Sequence, residues 1–279
     1  MKNIIVGTDE STESANAVRF AHRLAKSVSA RLVMVESSKP TSTEHSPAEL
    51  GDYESSVKER LAGWLAGKDA GGAEIVIVDV PARPALLGAA NRTEADAVVI
   101  GSRQTEGFTK MGIGSLAHQL AHELECPLIV VPPTELAPTG NVVVGIDGSD
   151  ASRVALQQAA DMADALGGTA YAVYAIKDIY TTFNSAGYYG KEEQQARSEA
   201  DEHADRVQFI ERLGGRTEHI LADVADEHGA EVIVVSARDR WSIGGLFLGE
   251  VPDHLLHEPP RPVMVIPHTV TEAALASEP

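Results

Sequence analysis

The sequence predicts a doubly wound α/β fold, built twice over. Three observations carry that expectation. Strand-length apolar runs such as Ala97–Ile100 and Leu128–Val131 show no polar alternation, as strands covered on both faces require. Segments with apolar residues at three- and four-residue steps alternate with these runs, which is the pattern of helical crossovers joining parallel strands. The chain also repeats itself. Val6-Gly7-Thr8-Asp9-Glu10-Ser11 returns as Val144-Gly145-Ile146-Asp147-Gly148-Ser149 at an offset of 138. Cys126–Pro132 returns as Arg261–Pro267 at an offset of 135. A period this long marks a duplicated domain and not a solenoid.

In the first repeat the opening strand is Asn3–Gly7, and Ser11-Thr12-Glu13-Ser14 supplies capping residues and an acid for the helix that follows. Val18, Ala21, Ala25 and Val28 give that helix one apolar face. Strand Arg31–Val35, helix Val57–Leu65, strand Glu74–Val80, helix Pro84–Asn91, strand Ala97–Gly101, helix Ser115–Glu123 and strand Leu128–Val131 complete the repeat. The second opens with Val142–Gly145 and a helix Ser152–Leu166 that keeps Ala155, Ala159, Met162 and Leu166 in phase. Strand Thr169–Ile176 and a long helix over Lys191–Leu213 follow. Its centre reads as reduced, passing from Arg216–Ile220 directly into a helix Leu221–His228. Residues 1–133 and 140–270 are thus expected as two domains, each a parallel five-stranded sheet. Residues 134–139 form a proline-rich connector and 271–279 a tail.

Composition narrows the function classes. The chain has 43% hydrophobic and 23% charged residues, as soluble globular proteins do, and its apolar runs fall short of the roughly 20 residues that span a bilayer. A charged start followed by strand-sized Ile4-Ile5-Val6 does not read as a secretory signal. One cysteine, Cys126, excludes an internal disulfide and thiolate metal clusters and suits a reducing cytosol. These points fit a cytoplasmic protein. The net charge is −18, of which residues 1–139 carry 13 − 18 = −5 and residues 140–279 carry 10 − 23 = −13. Such a field disfavours nucleic acid and makes the second half the poorer place for a triphosphate.

Ligands of open α/β sheets sit beyond the carboxyl ends of strands where strand order reverses. Two polar strand ends qualify. Asp9 in Gly7-Thr8-Asp9 either receives hydrogen bonds from a ring amine or ribose, or caps the following helix. The run from Gly101 through Arg103, Gln104 and Lys110 to Gly114-Ser115 either approaches phosphates with backbone N–H groups at the helix start of Leu116, or is a glycine-rich surface turn.

Together these motifs resemble the universal stress protein family in its tandem two-domain form. The resemblance rests on Gly7-Thr8-Asp9, on Gly101-x2-Gln104-x9-Gly114-Ser115 and on the closing strand Cys126-Pro127-Leu128-Ile129-Val130-Val131. It implies the fold shared by these proteins with adenine nucleotide alpha hydrolases, and a cytoplasmic stress-response regulator. The implied ligand is ATP, or AMP or ADP, with or without magnesium. In that likeness Asp9 meets adenine or ribose, the Val35 backbone brackets the adenine, and the segment from Gly101 to Ser115, with the Leu116 amide, holds phosphates. Gln104 stands where the family has glycine, and its side chain either crowds a phosphate or donates to it. Relatives pair through the last strand. The two repeats are therefore expected to form a pseudo-dimer within one chain, or a homodimer between chains.

The second copy is degenerate. Asp147 and Ala175 are retained as site positions, but Ser236 replaces the first glycine, Asp239 the second, and Gly249 is followed by Glu250. At roughly 5 Å each added carboxylate repels a phosphate charge by about 3 kcal/mol before screening. This half is expected to be structural, to hold adenosine or AMP at most, or to bind something uncharged or cationic. No catalytic residue and no metal site are assigned. His22, His118 and His122 read as solvent-facing or helix-terminal, and neither a GxSxG elbow nor a GxxxxGK[ST] loop occurs. A nucleotide sensor with an unknown protein partner is the leading reading. A nucleotide-independent interaction protein and a slow ATP hydrolase are the alternatives.

Overall fold

The computed structural model describes residues 1–9, 11–37, 47–64, 73–102, 116–134, 137–176, 186–203, 205–237 and 248–276. The chain divides into two compact units, Met1–Glu135 and Leu136–Pro279.

In the first unit the elements run β1 (Asn3–Thr8), α1 (Thr12–Val28), β2 (Arg31–Ser37), α2 (Pro47–Trp64), β3 (Glu74–Val78), α3 (Ala82–Thr93), β4 (Ala97–Gly101), α4 (Leu116–Glu123) and β5 (Leu128–Val131). The strands lie in the order β3-β2-β1-β4-β5. Every pair is parallel, with Gly7 beside Val35, Val6 beside Val99 and Gly101 beside Val131. Ile4, Ile5, Val6, Val98, Val99, Ile129 and Val130 are fully buried, as residues of strands covered on both faces must be. Strand order reverses at β1. The chain moves outward through β2 and β3, then crosses back to β4 on the other side, so the ends of β1 and β4 flank the natural ligand crevice.

The second unit contains β6 (Val142–Ile146), α5 (Asp150–Leu166), β7 (Ala170–Ile176), α6 (Ala186–Asp201), β8 (Val207–Leu213), α7 (Thr217–Glu227), β9 (Val232–Ser236), α8 (Glu250–His257), β10 (Val263–Ile266) and α9 (His268–Ala276). Its strand order, β10-β9-β6-β7-β8, repeats that of the first unit. Two expectations fail here. The long helix Lys191–Leu213 is instead a helix ending at Asp201 and the strand β8, and residues 217–220 belong to a helix. Strand β8 lies at the outer end of that order, beyond β7. Its charged Glu211 and Arg212 obscure the period of two in the sequence, and edge strands tolerate such charges. Gly214 and Gly215 end it with φ of 81° and 92°, a backbone that other residues rarely adopt. The segment expected as a tail also carries α9, which packs against α5 and buries Thr271.

Both opening helices are built alike. Ser11 caps α1 by accepting from the Ser14 amide, and Ser149 caps α5 by accepting from the Ser152 amide. Their C-termini close in the left-handed region, at Ser29 in one and Gly167 in the other.

Candidate functional site

The β1–β4 crevice of the first unit begins with Asp9. One carboxylate oxygen accepts from the Ser11 amide at 2.9 Å, from the Ser14 hydroxyl at 2.9 Å and from the Ser11 hydroxyl. Asp9 is therefore built into the α1 cap. Asp147 does the same in the second unit, accepting from the Ser149 amide at 3.1 Å and its hydroxyl at 2.6 Å. The capping geometry recurs in both copies, whatever each binds.

Across the crevice, Gly101 closes β4 where the α1 backbone passes. A Cβ on Gly101 would lie 2.8 Å from the carbonyl carbon and oxygen of Glu13, closer than real Cβ contacts come. Its glycine is thus required for close helix–strand approach, the role such glycines play at nucleotide crevices. Ser236 ends β9 at the matching position and carries a side chain where Gly101 has none. After Gly101 comes Ser102, whose amide donates to the Val131 carbonyl at 2.8 Å. Its buried hydroxyl has no hydrogen-bond partner among the described residues. Burying a hydroxyl unpaired is costly, so its partner is to be sought outside the described residues.

The walls are equally specific. Thr8 is buried and its hydroxyl leans on the Asp9 carbonyl at 3.3 Å. Gly7 packs against Leu86 of α3 and Ile100 of β4. Val35 is buried in the middle of β2, paired with Gly7. Beside it Glu36, 2% exposed, is neutralised by Arg60 of α2 at 2.9 Å. Leu116 opens α4. Arg103, Gln104, Lys110, Gly114 and Ser115 lie outside the described residues, as does Asp239.

In the second unit the strand register identifies the counterpart of Val35. By strand register the partner of Gly145 is Val173, as Val35 is the partner of Gly7. Ala175 lies two residues further along β7, beside Arg212. Next to Val173, Tyr174 holds the place of Glu36 and pairs with Ile146. Burial pushes its phenol up to about 12, and the carboxylates of Glu192, Glu193, Asp147 and Glu211 push the same way. This strand end therefore sits in a negative field. Gly249 caps α8 with φ of 105°, and Glu250 in its first turn faces Arg216 at 3.8 Å.

His122 lies in the last turn of α4 as expected, whereas His118 does not face solvent. His118 is buried at 8% exposure and its ring meets that of His122, with the two Nε2 atoms 3.3 Å apart. A constellation with no sequence motif also appears: Glu218 and His219 at the start of α7 meet His254 of α8, their ligating atoms all within 4.8 Å of one another. The signal was the repeat itself, since the residues 135 positions earlier are Arg83, Pro84 and Gln119. Cys126 is buried and burial pushes its thiol up to about 12, so it offers no thiolate for chemistry.

Among the described residues no helix is long and apolar enough to cross a membrane. The family model for the universal stress protein family matches residues 1–132 and again 138–267. A universal stress protein of Mycobacterium tuberculosis is 28% identical over 194 residues, which cover 62% of this chain and 62% of that one. The chain thus aligns with less than two thirds of that curated relative. One from Mycolicibacterium smegmatis is 26% identical over 288 residues, covering 94% and 96%. The crystal structure of a universal stress protein from Archaeoglobus fulgidus superposes with a TM-score of 0.67 at 17% identity, covering 95% of this chain and 96% of that one. The chain belongs to the universal stress protein family, with two such domains in tandem.

Proposed function

We propose that this tandem universal stress protein binds one ATP, or a related adenine nucleotide, in the β1–β4 crevice of its first unit, and acts in the cytoplasm as a nucleotide-dependent regulator. The observation that carries the reading is the end of β4. There a glycine admits close backbone approach and the buried Ser102 hydroxyl has no described partner, directly before the segment whose Gly101-to-Ser115 spacing resembles the phosphate loop of the family. The residues present fit such a group. Thr8 and Asp9 offer polar atoms at the end of β1, the Val35 backbone offers an adenine edge, and Glu36 is neutralised by Arg60. Leu116 begins a helix whose amides favour an anion, and magnesium would accompany the phosphates.

The second unit serves as the partner domain. Its strand end is ringed by acids, Ser236 and Glu250 stand where glycine and hydroxyl would, and the half carries −13. Regulation then requires two states of the first crevice with different nucleotide affinity, one of which a protein partner recognises. Without a general base or Walker motif in the sequence, binding and release are favoured over fast hydrolysis.

A nucleotide-independent interaction protein is the second reading, favoured by one fact: Asp9 and Asp147 make the same helix-capping bonds. Titration calorimetry of the full chain with ATP separates the two. One equivalent per chain, weakened by Ser102→Ala, supports the first reading; no heat of binding supports the second. Phosphate release measured alongside identifies a slow hydrolase.

A further inference from the structure

We propose that Glu218, His219 and His254 form a binding site for a borderline divalent cation, zinc foremost, on the second unit. Glu218 is 3% exposed, yet it carries a carboxylate. Arg216 stands 2.5 Å from one of its oxygens as an ion pair, but off the N–H direction, so that buried oxygen accepts no hydrogen bond from the described residues. A buried carboxylate left short of donors is a ligand in waiting. Two imidazoles converge on the same point from different helices, their ring centroids 5.9 Å apart and inclined at 67°. Edge-inclined rings can aim nitrogen lone pairs at one centre, which stacked rings cannot.

The donor set selects the ion. Two nitrogens and one carboxylate oxygen suit zinc and its neighbours cobalt and nickel, whereas magnesium and calcium prefer all-oxygen shells. Ligand atoms on a tetrahedral zinc lie about 3.3 Å apart, given zinc–ligand bonds of about 2.0–2.1 Å. The present spread, at most 4.8 Å, closes by side-chain rotation of His219 and His254, both of which reach solvent. Three protein ligands leave a fourth position for water or a partner's side chain. The net charge of this half draws cations.

Location gives the site a consequence. In the first unit the matching helices α3 and α4 are clasped by Arg83 on Glu123, with the guanidinium Nε 2.9 Å and 3.1 Å from the two carboxylate oxygens. In the second unit Arg83 has become Glu218, and the clasp between α7 and α8 would be the metal. It would fix α8, the helix opened by Gly249 and Glu250. Arg216, which also faces Glu250, is the competitor that metal must displace from Glu218.

The test uses the full chain and zinc alone, with no nucleotide, so it is independent of the ATP reading. Competition against a chromophoric zinc chelator should give one equivalent bound at micromolar or tighter affinity. His219→Ala and His254→Ala should each weaken it at least tenfold, while Arg216→Gln should tighten it severalfold. The unfolding midpoint should rise with zinc in the parent and not in the double histidine variant. His118→Ala should leave zinc affinity unchanged. Absence of micromolar binding, or stoichiometric binding that survives both histidine substitutions, would overturn the proposal. Loss of affinity in Arg216→Gln would do so too, since it would make the arginine a support of the site and not its competitor.

Discussion

At the end of β4 the first unit places Gly101, with the Glu13 carbonyl 2.8 Å from where a Cβ would stand; at the end of β9 the second unit places Ser236. The strands leading there are interchangeable in register, burial and order. What duplication preserved is whatever the sheet and the opening helix need: buried strands, serine caps on α1 and α5, and Asp9 or Asp147 folded into those caps. What it let drift includes the strand end, glycine at Gly101 and serine at Ser236, and the start of the helix after it, where Glu250 follows Gly249. A shared fold with unequal strand ends separates what the architecture needs from what it leaves free to change.

The sharpest way to break this comparison is to exchange the two strand ends. Gly101→Ser should destabilise the first unit by about 2 kcal/mol, the middle of the range for overpacking, because its side chain meets α1 backbone that cannot rotate away. Ser236→Gly should change the second by under about 1 kcal/mol. Hydrogen exchange of α1 and α5 amides reads each unit separately, which matters because two units need not unfold in one step. Equal losses in both would mean that the close approach is not what requires glycine.

Somewhat smaller is the expected effect on nucleotide. Gly114→Asp gives the first unit the kind of charge that Glu250 supplies in the second, and should lower ATP affinity at least tenfold, about 1.4 kcal/mol, by calorimetry. Gln104→Gly should tighten it unless the amide itself binds a phosphate. Unchanged affinity in Gly114→Asp would move the site away from that segment.

The caps should behave as equals. Ser11→Ala and Ser149→Ala each remove one amide acceptor in the same geometry and should each cost about 1 kcal/mol in denaturant unfolding. A clear inequality would show that Asp9 and Asp147 compensate differently.

The smallest effect belongs to Glu199 on α6, a feature of the second unit. Burial raises its carboxyl above the usual range, only partly offset by the Gln195 side chain, which donates to it at 3.3 Å. A raised acid pKa in the folded state means that the unfolded chain loses its proton first as pH rises. Stability is therefore lost between the ordinary carboxylate pKa and the raised one, and the deficit persists above it. Glu199→Gln should stabilise the protein modestly at pH 7 and leave it unchanged at pH 4. A gain of equal size at both pH values would show that charge is not the cause.

Legibility in the sequence followed the strength of local patterns. Strands β1, β4, β5 and β6 are dominated by apolar residues and were readable to within a residue or two, because burial on both faces leaves little room for polar ones. The edge strand β8 was not readable. Its charged solvent face and the adjoining helix α6 merge into one pseudo-helical pattern, and only pairing with β7 resolves them. The register counterpart of Val35, Val173, was not readable for a related reason, since register is a property of two strands and the sequence displays one.

By itself, then, the sequence determined the duplication, the parallel α/β class, the serine caps and the unequal chemistry of the two loop motifs, all of them set by neighbours in the chain or by composition. Tertiary structure alone decided that Gly101 is a glycine because α1 passes against it, that Ser102 buries a hydroxyl with no partner among the described residues, that Asp9 joins a helix cap, and that Glu218, His219 and His254 converge. Each of these depends on which segments packing brings within a few ångströms, a distance that spacing along the chain does not encode.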